Sequence, residues 1–74
     1  MANVEIDNRG LPPPEPMVRI LSGLAELGDG DELVALMDRE PRLIYAELER
    51  RGFASEFVAD GDGGVLTVRR LASE

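Results

Sequence analysis

The apolar patterning of this 74-residue chain predicts an α+β fold: a two-layer α/β sandwich of order βαβαββ, with two helices on one face of a four-stranded mixed sheet. Three observations carry the expectation. Segments with strand-like patterning alternate with segments of helical spacing. Proline or glycine punctuates the junctions. Two successive strand–helix–strand crossovers, right-handed as such units nearly always are, put both helices on the same side. Residues 1–74 are expected to form a single domain, because a chain of this size buries only about 60% of its unfolded surface and supports one core of marginal stability.

Asn3-Val4-Glu5-Ile6-Asp7 alternates polar and apolar, the pattern of a half-buried strand, and Asn8-Arg9-Gly10 turns the chain. Leu11-Pro12-Pro13-Pro14-Glu15-Pro16-Met17 then precedes apolar residues at Met17, Ile20, Leu21, Leu24 and Leu27, which have helical spacing. Proline is tolerated in a helix's first turn, where its missing N–H has no intrahelical acceptor. Pro14 is therefore placed near the first helical position, Pro16 in the same turn, Glu15 at the positive end of the dipole, and Gly28 at a left-handed stop. Glu32 to Asp38 is a short apolar run bounded by turn residues, which fits a central strand. Glu40-Pro41 opens a second helix through Leu43, Ile44 and Leu48 to Arg51, stopped by Gly52. Glu47 and Arg51 are spaced as an i,i+4 ion pair worth a few tenths of a kcal/mol. Phe53–Ala59 and Val65–Leu71 form a hairpin around Asp60-Gly61-Asp62-Gly63-Gly64.

Composition closes many functional classes. Fifteen acidic residues face eight basic ones, all Arg, for a net charge of −7, and there is no Lys, His, Cys or Trp. No thiolate, imidazole or lysine amine is available, so persulfide, triad, Schiff-base and His/Cys metal chemistry are excluded. No catalytic residue, cofactor or metal site is expected. The charge repels nucleic acid, and the arginines pair only as Arg50-Arg51 and Arg69-Arg70. No apolar run approaches membrane-spanning length, and Met1-Ala2-Asn3-Val4-Glu5 lacks the parts of a secretory signal, so a cytoplasmic location is expected.

The motif Asp7-x-Arg9-Gly10-Leu11 followed by Pro12-Pro13-Pro14-Glu15-Pro16-Met17, with Asp38-x-Glu40-Pro41 at the second helix, resembles an uncharacterised bacterial family of small TusA/SirA-like domains. The resemblance covers nearly the whole chain. Sulfur carriers of the TusA type open their first helix with Cys-Pro-x-Pro and hold a persulfide on that Cys. Here Pro14-Glu15-Pro16 matches Pro-x-Pro, and Pro13 takes the cysteine's place. The resemblance therefore implies the scaffold without the carrier chemistry. Relatives often have His before the acidic-Pro pair, where this chain has Arg39. Similar domains occur joined to hemerythrin-like domains or beside nitrogen-oxide and redox genes.

Two surfaces are candidates for interaction. Pro12, Pro13, Pro14, Glu15 and Pro16 read either as a stiff helix cap or as a rigid docking edge. The central strand is apolar at both parities, Leu33, Ala35 and Met37 against Val34 and Leu36, so one set points away from the helices. Arg39 and Arg42 flank the second helix start, where they either bind a carboxylate or phosphate or form a solvated rim. Asp60-Gly61-Asp62 resembles the front of a calcium loop, but its twelfth position is Leu71 and a hairpin turn accounts for it better. The expected function is a non-catalytic interaction or binding module whose partner is another protein or a second copy. The alternative is an accessory that docks to sulfur-relay or redox enzymes.

Overall fold

The computed structural model describes residues 3–71, so Met1 and Ala2 of the sequence reading lie outside it. Strand β1 (Asn3–Asp7) leads to helix α1 (Glu15–Leu24) and strand β2 (Glu32–Met37). A 3₁₀ turn at Arg42–Ile44 runs into helix α2 (Tyr45–Arg50), and the hairpin β3 (Phe53–Asp60) and β4 (Gly63–Arg70) closes the described chain. The sheet order is β1-β2-β4-β3, with β1 parallel to β2 and the other neighbours antiparallel. The expected α+β sandwich is the observed one.

Both helices pack on one sheet face. Ile20, Leu24 and Leu27 from the α1 region and Ile44 and Leu48 from the α2 region bury against Leu33, Ala35, Met37, Leu66, Val68 and Phe53. The cross-strand pairs Leu33–Val68 and Ala35–Leu66 give this face its register. A slip by one residue would expose every member of it.

Several boundaries differ from the sequence expectation, each for a local reason. Helix α1 ends at Leu24, before Gly28, because the chain tightens into i→i−3 bonds from the Glu26 and Leu27 amides. Gly28 donates its N–H to the Asp31 carboxylate, and the positive φ of 84° falls on Gly30. Pro14 is the N-cap, one position earlier than expected, and Pro16 sits inside the first turn. The second helix starts later than Glu40-Pro41, because Pro41 has a non-helical ψ of 70° and only a 3₁₀ turn follows it. Gly52, at φ 85°, does end α2. Strand β2 stops at Met37 because Asp38 leaves the ladder and accepts the Gly10 N–H at 2.6 Å.

The hairpin is tighter than its Asp-Gly run suggests. Strand β3 extends through Asp60 and β4 begins at Gly63, leaving Gly61 and Asp62 as a two-residue loop. Gly63 in turn lets the start of β4 come close to the end of β2: a Cβ there would lie 2.1 Å from the Met37 carbonyl oxygen and 3.2 Å from the Asp38 backbone. Backbone cannot rotate away as a side chain can. Gly63→Ala is therefore expected to lower the unfolding free energy by about 1–3 kcal/mol, read as a shifted urea midpoint at unchanged slope. An unshifted midpoint would contradict the close approach.

Candidate functional site

The parallel strands β1 and β2 both end at the same edge of the sheet, and both of their helical connections begin there. Ligand clefts in α/β sheets commonly lie beyond the carboxyl ends of such strands. Here the two connections enclose a cleft of about 390 Å³, within the size range of small-ligand sites. One wall is Leu11, Pro13, Pro14, Pro16 and Met17; the other is the segment from Asp38 to Ile44; Asn8 and Met37 lie between them.

Five hydrogen bonds hold this edge in shape. The Arg9 N–H donates to Asp7 Oδ1 at 3.1 Å, closing an Asx turn after β1. The Arg9 guanidinium grips both oxygens of the same carboxylate at 2.9 Å. Arg19 on α1 donates to the Asp7 carbonyl oxygen at 2.9 Å, tying the helix to the strand end. The Asp38 carboxylate on the Gly10 N–H ties the β1 turn to the far wall.

Asn8 stands where these connections meet. Its backbone N–H donates to the Leu36 carbonyl oxygen at 2.9 Å, extending the β1–β2 ladder by one residue. Its side-chain Nδ2 donates to the Pro16 carbonyl oxygen at 3.1 Å and lies 3.5 Å from Met37 Sδ. An amide oxygen in that place would face a carbonyl oxygen, so the nitrogen must point to Pro16. This leaves Oδ1 buried without a hydrogen-bond partner, on a residue only 1% exposed. Such an orphaned acceptor costs about 1–3 kcal/mol.

The expected proline motif thus divides. Pro13, Pro14 and Pro16 line the cleft, whereas Pro12 and Glu15 are exposed outside it. Pro12 accepts the Glu15 N–H at 3.0 Å, so the motif does act as a cap, with the peptide between Pro13 and Pro14 cis. Pro16 contributes no N–H to the first turn, and Glu15 adds negative charge there, which disfavours an anion at this helix end. Arg39 and Arg42 also line the cleft. Arg42 pairs with Glu40 at 3.3 Å, while Arg39 has no carboxylate in ion-pair range among the described residues. Glu40 in turn accepts the Tyr45 hydroxyl at 2.9 Å; burial first, then this bond, pushes the phenol up to about 12. Tyr45 stays protonated at any ordinary pH and serves to brace the loop.

Val34 and Leu36 are elsewhere. They lie on the sheet face opposite the helices, half-buried, and share no cavity with the prolines. Leu43 is a correction of another kind: expected within the second helix, it lies in the 3₁₀ turn before it, is 87% exposed and forms part of the cleft mouth. Its neighbour Ile44 takes the core position four residues before Leu48. Asn8, Met17 and Met37 were not foreseen as site residues, and only the i, i+4 pairing of Ile44 with Leu48 hinted that Leu43 would be spare. Among the described residues no cluster of three or more His, Cys, Asp or Glu side chains is placed to hold a metal ion.

A small two-layer α+β domain with one mainly apolar cleft at the strand ends is the class that fold and site define. Residues 5–70 match the family model described as Uncharacterized conserved protein (DUF2249), and the chain belongs to that family. Neither the curated proteins nor the solved structures give a significant match.

The Asp7–Arg9 contact yields a pH prediction. The Arg9 side-chain hydrogen bonds, followed by the Arg9 backbone N–H, hold the Asp7 carboxyl down at about 2, from an ordinary 3.8. A depressed folded-state value means stabilisation that is complete above the unfolded-state value and lost as pH falls through the folded one. Melting temperature is expected to fall between about pH 5 and about pH 2, and less steeply in Asp7→Asn; the contribution is small because both groups are exposed. Identical acid profiles for the two proteins would contradict the assignment.

Proposed function

We propose that the chain is a non-catalytic, cytoplasmic binding module that receives an apolar group of a partner or small molecule in the proline-walled cleft. The observation that carries this reading is the convergence of Pro13, Pro14 and Pro16 with Arg39, Arg42 and the exposed Leu43 on one cavity. A wall of prolines loses little conformational freedom when a ligand docks, which favours binding. The absence of Cys, His and Lys and the fully protonated Tyr45 support a role without chemistry. Nucleic acid is not the partner in this reading: Arg50 and Arg51 both bond Glu47, Arg69 pairs with Glu32, and Arg70 donates to the Leu27 carbonyl oxygen. No helix of the described residues is long and apolar enough to cross a membrane.

The TusA/SirA-like kinship belongs to this proposal as well, supported by the element order and by proline at the start of α1. One observation favours a second reading, an accessory that docks to sulfur-relay or redox enzymes: Pro13, in the place of the carriers' cysteine, lines the cleft. In either case the cleft is the contact surface.

The test is a titration with anilinonaphthalene sulfonate, an apolar anion suited to an apolar wall beside Arg39. Saturable fluorescence is expected, with affinity lowered about tenfold in Leu43→Asp, a substitution at an exposed site that leaves the core intact. Dye binding indifferent to Leu43→Asp would refute the cleft as the binding site.

A further inference from the structure

Among the described residues nothing covers the sheet face opposite the helices, although its residues are those of a covered face. The register places Leu36 between Asp7 on β1 and Val65 on β4, with Val65 beside Val58 on β3. The next row reads Glu5, Val34, Thr67, Glu56. Paired residues share a face, so Val34, Leu36, Val65 and Val58 form one apolar patch, and Val58 is 60% exposed. A strand apolar at both parities is the pattern of a sheet buried on both sides. The described residues supply helices for one side only.

Charge frames the patch. Glu32 is answered by Arg69 and Asp7 by Arg9, but Glu5 on one edge and Glu56 and Asp60 on the other have no ion-pair partner among the described residues. The patch is thus an apolar stripe along β2 and β4 with an uncompensated carboxylate on each flank. Strands β1 and β3 are three strand spacings apart, about 14 Å, slightly wider than the 10–12 Å of a helix with its side chains.

We infer that this face docks a basic amphipathic helix of another protein, laid along β2 and β4. Its apolar stripe covers Val34, Leu36, Val65 and Val58, and Lys or Arg on its two flanks reaches Glu5 and Glu56. The six residues of β2 span about 20 Å, which a helix of about 13 residues, under four turns, would match. A second copy of this chain is the wrong occupant, because it would bring −7 against −7 with like carboxylates at both flanks. The surface is separate from the cleft, so either can fail without the other.

The experiment titrates the ¹⁵N-labelled chain with a synthetic Leu/Lys amphipathic peptide of about 14 residues, and with a Leu/Glu counterpart of the same pattern. Amide shifts are expected at Val34, Leu36, Val58, Val65 and Thr67, and the Leu/Glu peptide should bind at least about tenfold more weakly. Binding should weaken about tenfold in Val58→Asp and several-fold in Glu5→Gln/Glu56→Gln, and it should fall with salt. Leu43→Asp should leave it unchanged. Val58 is exposed, so its variant tests the face even if Leu36→Asp fails to fold. Equal affinity for both peptides, shifts confined to the cleft or absent, or sedimentation showing a dimer broken by Val58→Asp would each overturn the assignment.

Discussion

The bond from Asn8 Nδ2 to the Pro16 carbonyl oxygen is the constraint on which the working edge of this domain depends. It joins the end of β1 to the first turn of α1 across the loop that carries the prolines. The same residue continues the β1–β2 ladder through its backbone N–H. One short side chain therefore sets the distance between the proline wall and the strand ends. Its other carboxamide atom, Oδ1, is left buried and unpartnered, a cost that a fully packed interior would avoid. Polar atoms left unpaired in this way are more common where a structure serves binding than where it serves only stability.

The remaining edge contacts work with Asn8 by closing the same small set of turns. Asp7 holds Arg9, Asp38 holds Gly10, and Glu40 holds Tyr45 and Arg42. Each of these acids braces a turn or loop. The domain thus separates its tasks by layer. The helical layer and the inner sheet face make the core, the strand ends make the cleft, and the outer sheet face remains apolar in the middle and acidic at its flanks.

Much of this was legible in the residues. Period two in Val4 and Ile6, helical spacing in Ile20 and Leu24, and the glycines of the hairpin led to the observed element order. The dual parity of Val34 and Leu36 against Leu33 and Ala35 foretold an uncovered face, because side-chain alternation in a strand is set by geometry alone. What stayed hidden depends on contacts distant in sequence. Asn8 reads as an ordinary turn residue until Pro16 and Met37 are brought to it. Leu43 reads as one more apolar residue of the second helix until Ile44 takes the buried position. The end of α1 could not be read from Gly28, whose N–H instead bonds the Asp31 carboxylate while Gly30 takes the left-handed conformation. Pro13 and Arg39 lie 26 positions apart in the chain, and only the parallel pairing of β1 with β2 brings their loops together.

The central claim is that Asn8 fastens the proline segment to the strand ends, and its side-chain amide protons report this directly. In solution NMR they should exchange slowly with solvent and show cross-relaxation to Pro16 and to the Met37 methyl group. Fast exchange, with averaged amide shifts and no contact to Pro16, would mean that the two walls are not joined and that the cleft is not a fixed feature of the fold.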